Sequence, residues 1–98
     1  MIVRLVKLRF RESEIPSFLN NFEKVKNDIR AFKGCLYLEL LQDAEDPSIF
    51  FTHSHWESNE ALQGYRNSDL FKGIWANTKP KFSGKPEAWS TNSLDKQD

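Results

Sequence analysis

Residues 35–56, CLYLELLQDAEDPSIFFTHSHW, set two eight-residue apolar runs on either side of a segment of turn-forming residues. Each run is too short for a typical helix and has strand length, and Asp43–Ser48 (DAEDPS) is dense in breakers, so the stretch predicts a β-hairpin of Cys35–Gln42 and Ile49–Trp56. The first run is apolar on both faces except for Glu39, which alternation puts on the side of Cys35, Tyr37 and Leu41. A strand that is greasy on both faces must be covered twice. One helical layer covers one face, so the second cover has to come from elsewhere.

Working outward toward the N-terminus, residues 2–10 (IVRLVKLRF) alternate as a strand requires. Ile2, Arg4, Val6, Leu8 and Phe10 share one face, and Val3, Leu5, Lys7 and Arg9 the other. Between this strand and the hairpin, Ile15, Phe18, Phe22, Val25 and Ile29 recur at helical steps of three and four. Ser13 is the expected cap, Pro16 is tolerated in the first turn, and Gly34 offers a left-handed stop, which predicts a helix from about Glu14 to about Phe32. Toward the C-terminus, Ser58 can cap a second helix carrying Ala61, Leu62 and Tyr65. Ser68 then opens a short continuation through Leu70, Phe71, Ile74 and Trp75. The loop Thr78–Pro86 leads to a last strand around Glu87–Thr91.

The order strand, helix, strand, strand, helix, strand is that of a ferredoxin-like α+β domain, a four-stranded antiparallel sheet with its helices on one face. Residues 1–91 form this single domain, and the polar tail 92–98 is expected to fray. At 98 residues the chain has room for one core. The bare sheet face is too apolar to stay in water. Pairing it with a second copy is the simplest solution, giving a homodimeric α+β barrel with a small-molecule cavity between sheet and helices.

Composition narrows the partners. Lys plus Arg equals Asp plus Glu at 14 each, mixed along the chain, so the basic footprint of a nucleic-acid protein is missing. No run approaches a membrane span, and MIVRLVKLRF does not read as a signal peptide, which predicts a cytoplasmic protein without membrane contact. The lone Cys35 reads as a small buried strand residue. Eight Phe, three Trp and two Tyr are many for this length, and suit an interface or pocket as well as a core.

His53 and His55, the only histidines, share a strand face and are the first candidates for a catalytic base or metal ligand. The plainer reading is a packing or surface patch, and no third ligand is fixed by spacing, so neither a metal nor another cofactor is expected. Trp56 faces the other way with Phe50, Thr52 and Ser54, and either closes the sheet end or walls a pocket. Phe71 and Trp75 are core residues by default, yet with Trp56 they suit binding a flat aromatic ligand. Tyr65 is the candidate catalytic phenol, able to hydrogen-bond a substrate oxygen and face developing negative charge. No nucleophile elbow, phosphate loop, dinucleotide fingerprint or zinc motif occurs.

The strings GCLYLELLQD, DPSIFF, HWESNEALQGYRNSDLF and KPEAWS together resemble the antibiotic biosynthesis monooxygenase domain family, the Trp-Glu-Ser of residues 56–58 being the most specific element. The resemblance implies a homodimeric α+β barrel and, in characterised members, oxygenation of quinol-like or polyketide aromatics without metal or flavin. It therefore implies a monooxygenase acting on a small aromatic or quinol-like substrate. A non-catalytic or stress-associated binding barrel, or an isomerase on the same scaffold, are the alternatives. Haem-degrading relatives carry an asparagine in strand one, a tryptophan on the second helix and an axial histidine beyond it. Here strand one has no asparagine, and those helix positions hold Tyr65 and Trp75, which disfavours haem degradation.

Overall fold

The computed structural model describes all of residues 1–98. Strands β1 (Ile2–Arg9), β2 (Cys35–Gln42), β3 (Ile49–Trp56) and β4 (Glu87–Asn92) form one antiparallel sheet in the order β2-β3-β1-β4. Helix α1 (Ile15–Arg30) crosses between β1 and β2, while α2 (Asn59–Arg66) and α3 (Asp69–Thr78) connect β3 to β4. This is the expected ferredoxin-like arrangement. β1 and β3 are central because each pairs on both edges, with Arg4 opposite both Ser54 and Ser90.

Local chemistry accounts for most boundaries, with two corrections at α1. Ser13 does not cap the helix: a 3-10 turn over Glu12–Glu14 precedes it, Glu14 takes the cap position, and no side chain supplies the cap bond. Pro16 occupies the first turn, where its missing N–H costs nothing. The helix also ends at Arg30, short of Phe32, and the chain turns through Gly34 at φ +88°. Ser58 caps α2 by accepting from the Ala61 N–H at 3.1 Å, and Ser68 caps α3 from the Phe71 N–H at 3.1 Å. What reads in sequence as one helical segment is thus two helices meeting at a corner, which carries Tyr65 and Trp75 on different elements.

A third correction concerns β2. Cys35 does not share a side with Tyr37, Glu39 and Leu41, because a bulge lies between Cys35 and Tyr37. An extra residue on one strand flips everything before it to the other face. Cys35 therefore packs beneath the helices with Trp56 and Leu62, buried, and burial pushes its thiol pKa up. The second buried cluster, Leu8, Phe10, Phe18 and Phe50, lies at the opposite end of the same sheet face. Phe10 and Phe18 stack at 4.1 Å between ring centroids, and Phe50 meets both edge-on.

Only 12 of the 98 residues are buried. The number is low for a physical reason: the two clusters are separated by a cavity on the helical face, and the other sheet face has no cover. On that open face Tyr37, Leu41 and Trp89 are 37%, 39% and 45% exposed. No helix is long and apolar enough to cross a membrane.

Candidate functional site

A cavity of about 340 Å³ lies between the helices and the sheet, the size range of small-molecule sites. Its floor is the inward row of β1 and β3, including Arg4, Thr52, Ser54 and Trp56, and its roof includes Tyr65, Phe71 and Trp75. The period of two along β3 decides which residues belong. Thr52, Ser54 and Trp56 point in, and His53 and His55 point to the open face.

The aromatic walls are held by one another. Trp56, 1% exposed, donates its indole N–H to Ser54 Oγ at 3.0 Å, so the ring is fixed and its one polar atom is already satisfied. Tyr65 stacks on Trp56 at 4.9 Å and meets Phe32 and Phe71 edge-on at 5.4 and 5.2 Å. Phe71 lies nearly parallel to Trp75 at 6.0 Å, and Trp75 abuts Phe82. Such offset and edge contacts make a rigid apolar box suited to a flat ring. Burial, with a smaller contribution from Cys35, pushes the Tyr65 phenol up to about 12. At neutral pH it is a hydrogen-bond donor and not a base. Its hydroxyl makes no hydrogen bond within the chain and is not sealed off by neighbouring atoms, so it remains open to a ligand.

His53 and His55 form a separate constellation. Their Nε2 atoms are 3.0 Å apart, so one donates and the other accepts. Tyr37 packs on both rings at 5.2 and 4.7 Å, donating its hydroxyl to Glu39 Oε1 at 2.8 Å, and the same oxygen is 3.6 Å from His53 Nδ1. Partial burial, then the charge of a protonated His53, then Lys96 hold the His55 imidazole below its ordinary value. The sheet separates this pair from the cavity. Tyr65, Trp56, Phe71 and Trp75 are brought together around the cavity, and the two histidines are brought together elsewhere. No group of three or more His, Cys, Asp or Glu side chains is arranged to hold a metal ion.

Two cavity residues escaped the reading of the sequence. Arg4 projects from β1 into the floor, and Arg66, the last residue of α2, borders the same space. Arg4 had a visible signal, since it shares a strand face with Ile2, Val6 and Leu8. Arg66 had none, because a basic residue in the last turn of a helix is ordinary.

The profile of the antibiotic biosynthesis monooxygenase family matches residues 1–76. No curated protein matches the chain. Among solved structures, a conserved protein from Methanosarcina mazei Go1 superposes with TM-score 0.89 at 20% identity, covering 96% of this chain and 94% of its own. A crystal structure described as an antibiotic biosynthesis monooxygenase superposes at 0.90 with 16% identity, covering 97% of this chain and 100% of its own. Rv0793 from Mycobacterium tuberculosis superposes at 0.89 with 16% identity, covering 99% and 98%. At these identities the likeness to solved structures is one of fold.

Proposed function

The chain belongs to the antibiotic biosynthesis monooxygenase family, and from that premise we propose that it is a monooxygenase for a small, flat aromatic or quinol-like substrate bound in the cavity beneath α2 and α3. The observation that carries this reading is the cavity itself, a box of stacked Trp56, Tyr65, Phe71 and Trp75 with the open Tyr65 hydroxyl at its wall. An activated ring methylene, once deprotonated, can supply its own electrons to dioxygen. One oxygen atom is retained as the new ring carbonyl and the other leaves as water. The protein then has to bind the ring, exclude bulk water and favour the deprotonated form. Tyr65, protonated at neutral pH, supplies a hydrogen bond to the ring oxygen on which that charge collects.

The working unit in this reading is a homodimer, supported by the exposed apolar residues Tyr37, Leu41 and Trp89 on the sheet face that the helices leave bare. The test is oxygen consumption by the purified protein with anthrone-like and quinol-like compounds. One oxygen consumed per carbonyl formed, faster than in buffer, is the expected result. A second reading, a binding barrel without catalysis, is favoured by a specific feature: no imidazole lines the cavity to act as base. Aromatic ligands that bind, are released unchanged and consume no oxygen across the panel would establish the second reading over the first.

A further inference from the structure

The two arginines of the cavity have no carboxylate. Neither Arg4 nor Arg66 takes part in any of the five ion pairs of the chain. Arg4 donates one bond, to Ser90 Oγ at 2.9 Å, and Arg66 donates one, to Gln63 Oε1 at 3.4 Å. A guanidinium carries five N–H donors, so most of their capacity is unused within the chain. Glu87 reaches the cavity lining only at the start of β4, where its register partner is Lys7 on the open face. Partial burial, and secondarily the facing charge of Arg66, lower the pKa of Arg4. Two cations thus border the same mostly apolar space, Arg4 partly buried in its floor and Arg66 at its exposed edge, and an anion between them would relieve their mutual repulsion.

We infer that the cavity selects aromatic ligands whose acidic oxygen is ionised when bound, a carboxylate or a phenolate, with that oxygen held by the guanidinium groups of Arg4 and Arg66 and the ring lying against Trp56 and Tyr65. The chemistry is that of an aromatic oxyanion. A planar guanidinium fork matches two carboxylate oxygens, and paired positive charge lowers the pKa of a ring hydroxyl brought beside it. This deepens the proposed function, resting on its aromatic site but not on its oxygen chemistry. It also supplies what the cavity lacks: without an imidazole base, positive charge beside the substrate oxygen is what favours the deprotonated ring.

The test is calorimetric binding of 2-naphthoate and its neutral amide, 2-naphthamide, to the intact protein, together with the absorbance of bound 2-naphthol. Naphthoate is expected to bind at least about tenfold more tightly than the amide, the worth of a charge-assisted contact. Arg66→Met, at an exposed position, is expected to shrink that ratio toward one while the variant keeps the thermal transition of the parent. Arg4→Gln tests the same ratio with a smaller change of volume. Preference for naphthoate identifies a carboxylate ligand, and a lowered pKa of bound naphthol identifies a phenolate. Equal binding of acid and amide, with unshifted naphthol, overturns the inference while leaving an oxygenase possible. Tight naphthoate binding by a protein that consumes no oxygen with the anthrone-like and quinol-like panel upholds the inference and overturns the oxygenase. Failure of all three compounds to bind overturns the inference, and oxygen uptake with the anthrone-like and quinol-like panel decides the oxygenase separately.

Discussion

At the scale of single residues, Tyr65 makes the plainest prediction. A phenol pushed up to about 12 stays protonated throughout the working range, so no step of the pH–rate profile below about pH 11 belongs to it. Tyr65→Phe keeps the ring that stacks on Trp56 and removes only the donor. Ligand affinity should fall about five- to tenfold, the worth of one neutral hydrogen bond, with the shape of the pH profile unchanged. Titration calorimetry and the pH dependence of turnover measure the two halves separately. An altered profile would make Tyr65 a proton-transfer group instead. The aromatic side of this site was legible because β3 alternates: once Trp56 is assigned inward, Thr52 and Ser54 follow and the histidines must face away. Which of the two faces carries the helices was not legible, because β3 has large residues on both. Arg4 went unnoticed since charge on a strand normally marks its solvent side, and here the charged residue sits on the inward row.

At the scale of elements, the turn into β2 lies close against the start of α2. A Cβ built on Gly34 would lie 2.5 Å from the Ala61 Cβ, at a φ of +88° that disfavours any side chain. The Glu57 N–H donates to the Gly34 carbonyl at 2.9 Å, so this turn also fixes where α2 begins. Gly34→Ala should cost about 2–4 kcal/mol, combining left-handed strain with overpacking. Adding Ala61→Gly should recover the overpacking part and leave the strain, which urea titration of the single and double variants would separate. Ser68 holds the next corner by donating to the Tyr65 carbonyl at 2.6 Å while accepting from Phe71. Ser68→Ala should cost about 1 kcal/mol in the same assay. The capping serines were legible because Ser58 and Ser68 each precede a helical pattern directly. Ser13 misled for the opposite reason: a 3-10 turn delays the helix, and nothing in RESEI distinguishes its first turn from that of an α-helix. The bulge that turns Cys35 inward left no mark either. It follows from packing against Trp56 and Leu62, which are distant in sequence.

At the scale of the whole molecule, the open sheet face would tie assembly to pH if a second copy covers it. His53 and His55 lie on it with Tyr37, Glu39 and Trp89, while Lys7 and Glu87 share its next row and Lys96 acts on His55 from the tail. The lowered pKa of His55 means that the folded protein favours the neutral ring more than the unfolded chain does. The stabilisation is therefore complete above the ordinary imidazole value of about 6.5 and is lost as pH falls from there through the lowered value. A twin sheet packed on this face would bury the pair further and oppose a second proton more strongly, since two imidazolium rings with Nε2 atoms 3.0 Å apart repel. The homodimer should accordingly weaken as pH falls from about 6.5 through the lowered His55 value. Linkage limits the slope: one proton resisted per protomer gives at most about a hundredfold in dimer dissociation constant per pH unit. His55→Gln should flatten that dependence, because a neutral amide can still hydrogen-bond His53 but takes up no proton. Light scattering across a dilution series at several pH values reads the outcome. A dissociation constant independent of pH would mean that the histidine face is not the one the twin covers, and a monomer at every pH would remove the barrel altogether.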